Sequence, residues 1–180
     1  MALSISVPKL VLLDRDGVIN HDVGAPGVTS PLQFQLTEGA ANAIGKLKRR
    51  GCTVVLVTNQ SCVGKGIISR SQLDEIHDLM IQKLHTNDAD ATLDRLYICT
   101  TATETENDDR RKPRPGMMLE AMEDSGVDAA SCVLIGDNLT DLQAASEAKV
   151  PLRILVATGY GAGIMGREAS STADNAEYIT

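Results

Sequence analysis

At 180 residues, with 43% apolar and 23% charged residues, the chain has the length and composition of one compact globular domain, which excludes disordered, collagen-like and coiled-coil architectures. Seventeen basic against 24 acidic residues give a net charge of −7, and one Phe, three Tyr and no Trp supply neither the basic stripes nor the stacking platforms that nucleic acid needs. No apolar run approaches the roughly 18 residues of a membrane span, and the first one leads into Asp14-Arg15-Asp16 rather than a small-residue cleavage site, so no membrane association is expected and a cytoplasmic location is.

In chain order, residues 10–13 form the first continuous apolar run, and further runs follow at 54–57, 96–99, 132–135 and 154–156. Continuous rather than alternating, they read as strands buried on both faces of a parallel sheet. After the first strand, 20–31 is a Gly/Pro-rich loop. Residues 38–50 carry Ala40, Ile44 and Leu47 at helical spacing and stop at Gly51. From 69 to 85, Ser69 with Gln72 makes a capping-box pattern ahead of Leu73, Ile76, Met80 and Leu84. An acidic-to-basic loop, 101–115, precedes a helix over 115–125 with proline at its first position, and a last helix spans 139–148. Strand and helix in alternation predict a single α/β domain over 1–180, with its core at about 8–161 and helices on both faces. The tail over 162–180 is assigned no element and is open to partial disorder. Cys52, Cys62, Cys99 and Cys132 form no C-x-x-C pair and read as free buried thiols, while His77 and His85 read as packing or solvent-facing residues.

Ligands of open α/β sheets bind outside the carboxyl ends of the strands, and here those ends are polar. Asp14 and Asp16 follow the first strand; Thr58 and Asn59 follow the second; Asp137, Asn138 and Asp141 follow the fourth; Arg111 and Lys112 precede a helix. If the strand geometry persists, Asp14 and Asp16 leave the same side. Adjacent carboxylates repel unless a cation or proton intervenes, and hard oxygen donors without His or Cys select magnesium. The Thr58 hydroxyl and the Lys112 ammonium suit phosphate oxygens. Each piece alone reads as a solvated turn, a strand exit or a basic patch; together and in order they are a kit for phosphoryl transfer.

The segments LLDRDGVIN, VTNQS, RKPRPG and IGDNLTD resemble the four ordered motifs of the haloacid dehalogenase superfamily, in the branch that contains heptose bisphosphate and histidinol-phosphate phosphatases. The resemblance implies a Rossmann-like fold and a magnesium-dependent phosphomonoesterase acting on a small phosphorylated metabolite, a sugar phosphate or bisphosphate first and histidinol phosphate next. It implies Asp14 as nucleophile, Asp16 as general acid and base, Thr58, Asn59 and Lys112 as phosphate-binding groups, and Arg111 as a substrate contact. The metal would be held by Asp14, Asp137 and the backbone carbonyl of Asp16, with Asp141 and Asn138 in support. A zinc loop of that branch is broken here: Cys99 remains, but Thr101, Asp108 and Arg110 stand where further ligands would be, so no structural zinc is expected. Lys65 stands where related enzymes often have arginine and is a candidate reader of a distal substrate group. The intervals from Asp16 to Thr58 and from Thr58 to Lys112 are filled by ordinary elements, so no cap domain is expected. Gly161, Gly163 and Gly166 spell G-x-G-x-x-G, but too little chain follows for a dinucleotide unit. The competing reading is a catalytically weak, receiver-like phospho-binding module on the same scaffold. The chain is expected to be a monomer or weak homo-oligomer.

Overall fold

Alternate residues of the first strand feed two different cores. In β1 (Leu10–Leu13), Val11 and Leu13 pack into one buried cluster and Leu10 and Leu12 into another. That is the signature of a strand covered on both faces, since successive side chains point to opposite sides. The computed structural model of the chain describes residues 7–103, 107–168 and 176–179. After β1 come α1 (Ala40–Arg49), β2 (Thr53–Asn59), α2 (Ser61–Gly64), α3 (Arg70–Asn87), β3 (Arg95–Cys99), α4 (Gly116–Ser125), β4 (Cys132–Gly136), α5 (Leu139–Glu147), β5 (Leu152–Val156), α6 (Gly161–Glu168) and β6 (Ala176–Ile179). Among the described residues no helix is long and apolar enough to cross a membrane.

The six strands are all parallel, in the order β3-β2-β1-β4-β5-β6. The chain builds outward from β1 to β3, returns, and builds the other way from β4. The reversal between β1 and β4 is where open α/β sheets place their ligands. Leu13 is in register with both Leu56 and Ile135, so the residues that follow β1, β2 and β4 emerge at one rim.

On one face, Ile44 of α1 and Leu73, Ile76, Met80 and Leu84 of α3 cover Val11, Val54 and Leu56. On the other, Met117, Met118 and Ala121 of α4 and Leu142, Ala144 and Ala145 of α5 cover Leu10, Leu12, Val55 and Leu134. Each fully buried large side chain contributes about 1.5–3 kcal/mol. The Ser69–Gln72 capping box is present at the start of α3, and all four cysteines are free and buried.

Three expectations change. β2 runs on through Thr58 and Asn59, which are therefore strand residues rather than an exit loop. Pro115 is the residue before α4, not its first. In the tail, 161–168 is helical and Ala176–Ile179 is a sixth strand paired with β5, so the G-x-G-x-x-G segment opens α6. Residues 169–175 and 180, also part of that tail, lie outside the described residues.

Candidate active site

The rim polar groups line one cavity of about 300 Å³, with Asp14, Asp16, Thr58, Lys112 and Asp137 among its walls. Asp14 is still anchored to the sheet, its N–H donating to the Ile135 carbonyl at 3.0 Å. Beyond it the extended geometry does not persist. The Arg15 carbonyl accepts from the N–H groups of Val18, Ile19 and Asn20, and Gly17 turns the chain at φ +78°. A Cβ at Gly17, or at Gly159 across the rim, would run into the Asp137 carboxylate. The two aspartates therefore face one cavity with different neighbours instead of sharing one strand face.

Asp14, Asp137 and Asp141 are buried, and an oxygen from each lies within 4.8 Å of the others. One ammonium shares that space: Lys112 Nζ lies 2.9 Å from Asp14 Oδ1 and 2.6 Å from Asp141 Oδ1, and donates to the Val57 carbonyl at 2.8 Å. Burial alone would push the lysine pKa down, but the two carboxylates outweigh it and hold it above the ordinary value. Burial raises Asp14 to about 6 against the pull of Lys112, with Asp141 adding to the rise. Burial also raises Asp137 to about 7, beyond what the Tyr160 N–H at 2.9 Å offsets, and Asp14 and Asp141 push it further. Three carboxylates against one ammonium leave an excess of negative charge. All the donors are hard oxygens, so a small divalent cation fits this space. Asp141 is committed: besides Lys112 it accepts the Asn138 N–H at 3.0 Å, in a capping box at the start of α5. That leaves Asp14 and Asp137 as the carboxylates freest to bind a cation. Among the described residues the Asp16 carbonyl accepts no backbone hydrogen bond in the turn.

Asp16 lives in the opposite environment. Its Oδ1 accepts from Arg15 Nη2 at 3.0 Å and Asn20 Nδ2 at 2.9 Å, and its Oδ2 from Arg15 Nη2 at 3.0 Å and Gln60 Nε2 at 2.9 Å. Burial pushes its pKa up, but the Arg15 guanidinium and these donors win and hold it below the usual carboxylate range. Gln60 also donates to Thr58 Oγ1 at 2.9 Å, which leaves the hydroxyl hydrogen available to a phosphate oxygen. Asn20 and Gln60 stand inside the DRDGVIN and VTNQS segments, yet sequence gave them no role. The only signal is position in those segments, Asn20 four residues after Asp16 and Gln60 two after Thr58.

The loop that delivers Lys112 is pinned twice. Asn59, which lines the cavity, accepts the Lys112 N–H at 3.1 Å and donates to its carbonyl at 3.0 Å, so its amide ties the end of β2 to the lysine backbone. Asp108 accepts from Thr101 Oγ1, Cys99 Sγ and the Arg110 N–H, tying the loop to the end of β3 with a hydrogen-bonded knot of the residues that stand in the broken zinc pattern. Arg111 donates to the Thr101 carbonyl at 2.7 Å and lines the cavity, while its buried Nε has no partner among the described residues. Lys65 is exposed at the cavity rim.

The model of the haloacid dehalogenase-like hydrolases matches residues 28–149. The D-glycero-beta-D-manno-heptose-1,7-bisphosphate 7-phosphatase of Photorhabdus laumondii is 38% identical over 167 residues, 89% of this chain and 87% of the relative. Its namesake from Escherichia coli K12 is 37% identical over 160 residues, 86% and 81% of the two chains. Among solved structures, a D,D-heptose 1.7-bisphosphate phosphatase from B. bronchiseptica complexed with magnesium and phosphate matches with a TM-score of 0.86 at 33% identity, covering 95% of this chain and 92% of that one.

Proposed function

This chain belongs to the haloacid dehalogenase-like hydrolases and is a phosphatase, and from that premise we propose that it removes the 7-phosphate of a heptose 1,7-bisphosphate through an aspartyl-phosphate on Asp14. The observation that carries the reading is the Lys112 ammonium held between Asp14 and Asp141 at the mouth of β1, with the Thr58 hydroxyl alongside in the same cavity. A receiver-like module does not account for relatives that are phosphatases over most of their length.

In this mechanism an Asp14 oxygen attacks phosphorus, the bond from phosphorus to the ester oxygen breaks, and that oxygen takes a proton from Asp16. In the second half Asp16 removes a proton from water, the water oxygen attacks phosphorus, and the acyl-phosphate bond breaks to return Asp14 and release phosphate. The contacts of Asp16 with Arg15, Asn20 and Gln60 fix where its carboxylate sits in the cavity, so that one group can serve the leaving oxygen and then the water. Lys112 and Thr58 hold the phosphoryl oxygens in line with Asp14. Magnesium would sit on Asp14, Asp137 and the Asp16 carbonyl, and when bound it neutralises charge on the phosphoryl group. Arg111, with its unpartnered Nε, and Lys65 at the rim supply positive charge for the second phosphate of a bisphosphate.

The test is phosphate release from heptose 1,7-bisphosphate by the purified protein with magnesium, with phosphorus NMR to identify which phosphate leaves. Release from the primary 7-position, lost in Asp14→Asn, supports the reading. Turnover of other sugar phosphates at equal or higher kcat/KM would overturn the choice of substrate.

A further inference from the structure

Arg15 lies between the two aspartates in sequence, yet its side chain is wholly buried, at 0% exposure, and turns away from solvent. The fork of its guanidinium faces Asp16: Nη2 reaches both carboxylate oxygens at 3.0 Å and Nε reaches Oδ1 at 3.3 Å. The remaining nitrogen, Nη1, lies 3.1 Å from Nε2 of His77, a buried residue of α3 that is 61 positions beyond Asp16 in the chain. A guanidinium can only donate, so His77 Nε2 has to accept. This places the ring proton on Nδ1, which is buried with no partner among the described residues. A buried donor without an acceptor costs stability, and an aliphatic side chain at this point of α3, among Leu73, Ile76 and Met80, would avoid that cost. The imidazole is therefore explained by what it does for Arg15 and not by packing.

We propose that His77 is a positioning residue for Asp16, acting through Arg15: its Nε2 fixes the back of the guanidinium so that the fork holds the Asp16 carboxylate at the cavity. His77 touches neither substrate nor reacting atoms. The proposal rests on the reading of Asp16 as the group that protonates the leaving oxygen. Without the imidazole, Nη1 would seek another acceptor and rotate the fork, and misplacement of a reacting group by about 1 Å can cost on the order of 100-fold in rate.

The experiment compares kcat/KM for two substrates. A sugar phosphate with a primary alkyl ester needs its leaving oxygen protonated, whereas p-nitrophenyl phosphate releases a stable phenolate that does not. In His77→Leu the ratio of alkyl to aryl kcat/KM is expected to fall about 10-fold or more, and in His77→Gln, whose amide oxygen can accept from Arg15, to return to within about threefold of the unsubstituted protein. An unchanged ratio in His77→Leu, or equal ratios in the Leu and Gln variants, would overturn the proposal. If His77→Leu does not fold, Arg15→Lys, which keeps the charge and loses the fork, is expected to show the same fall, and an unchanged ratio there would overturn it equally. Failure of the underlying reading is separate. It would show as an alkyl-to-aryl ratio that Asp16→Asn leaves unchanged, whatever the His77 variants do.

Discussion

Two carboxylates two residues apart line one cavity and are driven in opposite directions. Asp14 belongs to the β1–β4 side, where burial and the neighbouring Asp137 and Asp141 leave more negative charge than Lys112 can balance. Asp16 belongs to the β1–α3 side, where Arg15, Asn20 and Gln60 surround it with donors. The first arrangement asks for a cation; the second needs none. Environment, and not residue type, sets the two apart, which is how a pair of identical side chains can take the two roles proposed for them.

The largest expected effect breaks the first side. Asp14→Asn should reduce phosphatase activity by at least about 10⁴-fold, because an amide is no nucleophile and the neighbouring carboxylates are engaged, Asp141 by Lys112 and the Asn138 N–H and Asp137 by the Tyr160 N–H. A smaller loss, measured at saturating substrate, would move the nucleophile elsewhere. On the second side, Asp16→Asn should cost roughly 10²- to 10⁴-fold in turnover; rates near those of the unsubstituted protein would remove it from the chemistry.

Asp137→Asn sharpens the contrast through pH. In the metal-free protein Asp137 titrates near 7, above the ordinary carboxylate value of 3.8, so the folded state holds more protons than the unfolded one between those values. The native carboxylate thus weakens the fold above pH 7, and the weakness fades as pH falls. Asp137→Asn should accordingly melt several degrees higher than the unsubstituted protein near pH 8, with the difference shrinking toward pH 5, and magnesium should raise the Tm of the unsubstituted protein but not that of the variant. A pH-independent difference in Tm would contradict the raised carboxyl. The smallest effect concerns the loop that bears Lys112. Asp108→Ala should lower stability by about 1 kcal/mol and kcat/KM by several-fold, since the Cys99–Thr101–Arg110 knot positions the lysine at a distance. Urea unfolding and steady-state kinetics on the same preparation check both.

Much of the first side was legible in the sequence, because its parts end apolar runs: Asp14 after 10–13 and Asp137 after 132–135, with Lys112 in the turn before a helix. Burial of those runs fixes the register of β1 against β2 and β4, and register brings the polar ends together. Of the second side, Asp16 was legible in its motif and its surroundings were not. His77 sits in a helical pattern whose periodicity reports burial but not hydrogen bonding, and nothing in the sequence around Arg15 shows that its side chain is buried against His77. Asn59 lines the cavity beside Thr58, and its amide also pairs with the Lys112 backbone, a contact across 53 residues that local sequence does not reveal. The sixth strand escaped notice because Ala176–Ile179 contains a glutamate and no continuous apolar run, and a strand at the sheet edge needs only one paired neighbour.

The most direct test is to trap the phosphoenzyme. Borohydride reduces an acyl phosphate to an alcohol, so quenching turnover with it should convert residue 14, and no other aspartate, to homoserine, detected by peptide mass spectrometry only when substrate and magnesium are both present. Steady turnover with position 14 still aspartate, or homoserine at position 16 or 137, would contradict phosphoryl transfer to Asp14.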